Sequence, residues 1–121
     1  MEMTIDEALR KGTEAHDSGD IQLADSCFTA ILKAQPTHPD ANHNLGVIAI
    51  QTGKPEQAID FFNRAVEGNP SNTLYWLQFI KTLKNIYRVS EAKEILDQAK
   101  KNGLSGGQLS ELEREIDKLI L

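Results

Sequence analysis

Three histidines, a single cysteine and a cluster of glycines are the residues of this chain whose types could support chemistry. A helix-borne metal site needs two ligands about one turn apart on the same face. His38 and His43 are five positions apart with Pro39 between them, and His16 is remote from both, so they form no such motif. Cys27 has no neighbouring histidine to take its proton, as an activated thiol would need. It lies between Ala24 and Ile31 on an apolar helix face, where a lone cysteine fills core. Gly103, Gly106 and Gly107 make a hinge and a helix start, a geometry that can hold an anion, yet neither GxGxxG nor GxxxxGK[ST] is present. Tyr75, Trp76 and Phe79 could stack on bases only beside a basic groove, and are read as packing residues. No catalytic centre, metal site or cofactor is expected.

What remains is the chemistry of helix faces. The chain has 121 residues, 40% of them hydrophobic and 26% charged, which is ordinary for one soluble domain. A net charge of −5 disfavours a nucleic-acid partner, which would require clustered Lys and Arg. No apolar run approaches the roughly 20 residues that cross a bilayer. MEMTIDEALRK lacks the basic segment and apolar core of a secretory signal, so a cytoplasmic location and no membrane partner are expected.

The central stretch Pro39 to Asn72 sets the pattern. Pro39 opens a helix in whose first turn a missing N–H costs nothing. Leu45, Gly46 and Ala49 follow at helical spacing, and Thr52-Gly53 breaks the run. Pro55 opens a second helix with Ala58, Ile59, Phe62, Ala65 and Val66 on one face, and Asn69-Pro70 ends it. Thirty-four positions earlier, Gly12, Ala15, Gly19, Ala24, Phe28 and Pro36 occupy the same places. Thirty-four positions later the apolar frame continues as Leu83, Ala92, Leu96 and Ala99, with Trp76 near its start. A helix-turn-helix period of this length resembles the tetratricopeptide repeat family, over Ile5 to Gly106 without a gap.

The expected architecture is an all-α, right-handed α-solenoid: a single domain of repeats 5–38, 39–72 and 73–106, closed by a capping helix over 107–121. Thr4 and Glu7 form a capping box, Gly19 supplies a left-handed turn and Asp20 caps the second helix. Gly12 and Gly46 lie inside helices, a cost accepted if another helix approaches there. The third repeat is degenerate: Ile80, Tyr87 and Leu104 replace the in-helix glycine, the turn glycine and the proline. Its helices are expected to splay or its turn to differ, with Ser90 as cap. Ser105 to Gln108 is read as another capping box. It opens a helix with Leu109, Leu112, Ile116 and Leu119 against the third repeat, and Glu111, Glu113, Arg114, Glu115 and Lys118 toward water. The apolar ending Leu119-Ile120-Leu121 is read as buried, as a contact with a second copy, or as the junction to a longer chain, so homo-oligomers are possible.

In the family this sequence resembles, the first helix of each repeat lines a concave groove that binds a partner peptide or helix. The resemblance carries this role onto Asp6, Leu9, Arg10, Thr13 and Asp17 in the first repeat. In the second it falls on Asp40, His43, Asn44, Val47 and Gln51, with Ile50 at the edge, and in the third on Leu74, Leu77, Gln78, Lys81 and Lys84. The set is acidic at its start and basic at its end, which suits a segment with apolar anchors and an acid near Lys81. Related co-chaperones grip the C-terminal carboxylate of heat-shock proteins with Lys, Asn and Arg. Here Asn44 matches, but Leu9, Thr13, Leu74 and Gln78 fill other clamp positions, so that function is not expected. Asn42 to Gly46 is similar to repeats of O-linked N-acetylglucosamine transferases, though Arg10 and Gln78 interrupt the asparagine ladder. More broadly, HPDANHNLG and SEAKEILDQAK look like N-terminal repeats of bacterial glycosyl-, sulfo- or methyltransferases, implying a recruiting domain as one alternative to a stand-alone scaffold, a self-association module being the other.

Overall fold

The computed structural model of the chain describes residues 3–120; Met1, Glu2 and Leu121, the last residue of the apolar ending, lie outside them. Among the described residues the fold is all-α. Its helices are α1 (Ile5–Asp17), α2 (Ile21–Ala34), α3 (Pro39–Gln51), α4 (Pro55–Gly68), α5 (Thr73–Asn85), α6 (Val89–Lys101) and α7 (Gly107–Leu119). Helices start at 5, 39, 73 and 107, and at 21, 55 and 89, so both series advance by 34 residues.

Local chemistry sets these bounds. The Thr4 hydroxyl accepts the Glu7 N–H at 3.1 Å, and the Asp20 carboxylate accepts the Leu23 N–H at 3.1 Å. His38, an uncommon cap, accepts the Ala41 N–H on Nδ1 at 3.1 Å just before Pro39. Gly19 and Gly53 turn the first two hairpins at φ 87° and 78°. The third turn does not differ: Tyr87 takes the same left-handed conformation at φ 65° in spite of its Cβ. Two expected caps are corrected. Ser90 lies inside α6, whose N-cap is Arg88 without a side-chain cap bond; Arg88 instead grips Glu91 at 2.8 and 2.6 Å. Ser105 does not cap α7 either, because Gly106 is the N-cap, at φ 129°, with no side-chain cap bond.

The chain divides into two compact units, one running to Gly68 and one beginning at Asn69. In the first unit α1 packs on α2, α2 on α3 and α3 on α4. Ala8, Ala15, Ala24, Phe28, Ile31, Ala41, Leu45 and Ile48 are buried together. The in-helix glycines mark where an aromatic ring meets backbone: a Cβ on Gly12 would stand 2.7 Å from Phe28 Cε1, and one on Gly46 closer still to Phe62. Asn42 is fully buried and donates from Nδ2 to the Pro36 and His38 carbonyls at 3.1 and 2.9 Å.

In the second unit α5 packs on α6, and α7 packs on both. Ile80 and Leu96 stand where the first unit has Gly46 and Phe62, and both are fully buried. Bulk removed from α6 is thus restored on α5. Trp76 occupies the place of Asn42 and makes the equivalent bond, from Nε1 to the Pro70 carbonyl at 2.8 Å.

Candidate functional site

In the first unit the outward stripes of α1 and α3 carry the candidate residues. Asp6, Arg10, Thr13 and Asp17 are exposed, and Leu9 is half-buried against the core cluster. The Thr13 hydroxyl turns back to donate to the Leu9 carbonyl at 2.8 Å. On α3, Asp40, Asn44 and Val47 are half-buried, while Gln51 and neighbouring Ile50 are exposed. Gln51 is tied to α1, its Oε1 accepting from His16 Nε2 at 2.7 Å, which adds a histidine to this surface that periodicity alone did not select. His43 does not fit a surface role. It is 7% exposed, with its ring 5.6 Å from that of Phe62. Burial pushes its pKa below the usual histidine value, against the opposing effect of Asp40.

In the second unit, Leu74, Leu77, Gln78, Lys81 and Lys84 all line one cleft of about 330 Å³. Its other wall is α7, through Gln108, Glu111, Leu112 and Glu115. These four were missed as site residues, yet the period points to them: 34 positions beyond Leu74, Leu77, Gln78 and Lys81 stand Gln108, Glu111, Leu112 and Glu115. One wall is therefore basic and the other acidic, over a floor of Leu77 and Leu112 with Leu74 54% exposed at the rim.

Lys84 is not a free cation. Its ammonium donates to Glu115 at 2.5 Å, and this bond holds the Glu115 carboxyl below the ordinary glutamate pKa. Lys81 makes no ion pair among the described residues. The expected charged face of α7 is only partly turned to water. Glu113 bonds Lys100 at 2.7 Å and pairs with Lys93 at 3.5 Å, and Lys93 also reaches Asp117 at 3.2 Å, so its acids staple α7 to α6. Leu109, Leu112 and Ile116 are buried, but Leu119 is 53% exposed.

No curated protein sequence matches the chain. Solved structures do. The first tetratricopeptide domain of Spaghetti (RPAP3), bound to the HSP90 peptide SRMEEVD, is similar with a TM-score of 0.81 at 20% identity, over 96% of this chain and 92% of that one. The TPR2B domain of yeast Sti1, in a complex with an Hsp70 peptide, is similar at 0.73 and 23% identity, over 98% and 94%. An O-GlcNAc transferase mutant from Thermobaculum terrenum matches at 0.71 and 24% identity, over 84% of this chain and 20% of that one. At these identities the likeness is one of fold, an all-α solenoid. The tetratricopeptide repeat family model matches residues 9–73, more than half of the sequence, and the chain belongs to that family.

Proposed function

We propose that this chain is a protein-interaction module that holds a peptide or helix of a partner on the faces of its first-in-repeat helices, without catalysis of its own. The observation that carries this reading is the α5–α7 cleft, where all five residues singled out in the third repeat meet around an apolar floor. At about 330 Å³ the cleft lies at the small end of ligand pockets, which favours one or two side chains of a peptide over a larger cofactor. Relatives of the same fold, by their descriptions, hold peptides of HSP90 and Hsp70. A heat-shock carboxylate clamp is not the best match here, because Leu9, Thr13, Leu74 and Gln78 stand where it carries Lys, Asn and Arg.

Magnitudes shape the ligand. Burying one leucine-sized anchor contributes about 2 kcal/mol, whereas micromolar affinity requires about 8 kcal/mol. One cleft therefore supplies only part of the binding, and the partner segment must use further anchors. The test is to select peptides from a random library on the intact chain and measure their affinity by calorimetry. Leu74→Glu, at an exposed position, should weaken selected peptides at least tenfold with the helical circular dichroism unchanged. Enrichment of no peptide, or affinity indifferent to Leu74→Glu, would overturn the assignment.

A further inference from the structure

The α5–α7 cleft adjoins a second, shallow and open depression whose lining includes Tyr87, Lys118 and Leu119. Lys84 and Glu115 line both, so the ion pair between them stands where the two meet. The two ends of this bar are unequal. The Lys84 side chain is 20% exposed and the Glu115 side chain 42%. A mostly covered ammonium left without an anion is costly, while a half-exposed carboxylate released to water is not. The half-exposed Glu115 end also keeps the pair weak.

We propose that the Lys84–Glu115 pair is a displaceable bar across one continuous groove, opened by a partner peptide that carries its own carboxylate between two apolar residues. The peptide's acid takes the place of Glu115 on Lys84 and draws on neighbouring Lys81, while Glu115 swings to solvent. One apolar residue sits over Leu77 and Leu112, the other between Tyr87 (85% exposed) and Leu119. The two seats are seven residues apart along α7, from Leu112 to Leu119, and ten positions apart on the other wall, from Leu77 to Tyr87 just beyond α5, or about 10–15 Å at 1.5 Å per residue. An extended peptide covers that span in about four residues and points alternate side chains the same way. The matching pattern is Leu-x-Glu-x-Leu. This rests on the interaction reading above and adds to it the chemistry of the occupant and the control of its site.

The probes are acetyl-Leu-Ala-Glu-Ala-Leu-amide and the same peptide with Gln for Glu, titrated into the isotopically labelled chain and followed by amide NMR shifts in α5 and α7. Glu115→Gln should raise affinity for the acidic peptide at least fivefold and change that of the Gln peptide less than twofold. Lys84→Met should abolish the preference for the acidic peptide. Equal gains for both peptides, no gain for either, or no shift in α5 and α7 with any form would overturn the bar. So would concentration-dependent shifts of these amides without peptide, which would give the groove to a second copy. Library peptides that depend on Leu74 but ignore Glu115→Gln would overturn the bar alone and leave the interaction module standing.

Discussion

A methyl group on Gly46 would stand against the Phe62 ring with no room to spare, because the Phe62 side chain of α4 packs there directly on the backbone of α3. Gly46→Ala should gain at most about 1 kcal/mol of helix propensity and lose about 1–3 kcal/mol to overpacking. The expected result is a lower urea midpoint with an unchanged m-value. Tyr87 presents the opposite case. Its left-handed backbone costs about 1–2 kcal/mol for a residue with a Cβ, and its ring, 85% exposed, contributes little packing in return. Glycine loses more chain entropy on folding, so Tyr87→Gly should stabilise by about 0.5–1 kcal/mol net, read as a higher melting temperature. His43 makes stability depend on pH. Burial lowers its pKa from the ordinary 6.5, so the unfolded chain takes up a proton that the native site resists. Its contribution is complete above pH 6.5 and is lost as pH falls toward the lowered native value. Urea titrations between pH 7.5 and 5.5 should show this slope in the native sequence and its loss in His43→Leu.

At the scale of elements, the informative comparison is between α7 and the first helices of the earlier hairpins. The stripe that receives a second helix reads Ala8, Gly12, Ala15 on α1, then Asn42, Gly46, Ala49 on α3 and Trp76, Ile80, Leu83 on α5, and all nine are buried. On α7 the same places hold Ser110, Arg114 and Asp117, all exposed. Helix α7 therefore packs through one side only, by Leu109, Leu112 and Ile116, and closes its unit with a polar surface. Ile116→Ala should cost about 2–4 kcal/mol, as for a filled core position, whereas Leu119→Ala should stay within about 0.5 kcal/mol. Thermal melts of the two variants separate these outcomes. Periodicity grouped Ile116 with Leu119, since it marks a face but not where the neighbouring helix ends. The Thr4 and Asp20 caps were legible because each sits directly before an apolar-periodic run. Ser90 and Ser105 misled because a cap is defined by the residue at which the helix begins, and α6 begins two positions earlier than the Ser90 reading required, at Val89.

At the scale of the whole molecule, the 34-residue period made the helices and the third-repeat site residues readable, and carried one step further it reaches the α7 wall of the cleft. The electrostatics were not readable. Lys84 looks like a free cation until α7 brings Glu115 onto it, across a separation of 31 positions that no local pattern encodes. Stability in repeat proteins is close to a sum of hairpin terms and nearest-neighbour terms, so damage should stay near its source. The division of this chain at Gly68 and Asn69 gives that rule a concrete form. Gly46→Ala should accelerate amide hydrogen exchange throughout α3 and α4, while α6 and α7 keep most of their protection, because sub-global opening follows the contiguous unit that was weakened. The measurement is native-state exchange of the variant against the parent chain, resolved by peptide mass spectrometry. Loss of protection by equal factors in every helix from α1 to α7 would instead show that the two units open as one, and a binding event on α5 and α7 would then stabilise α1 and α2 to the same extent.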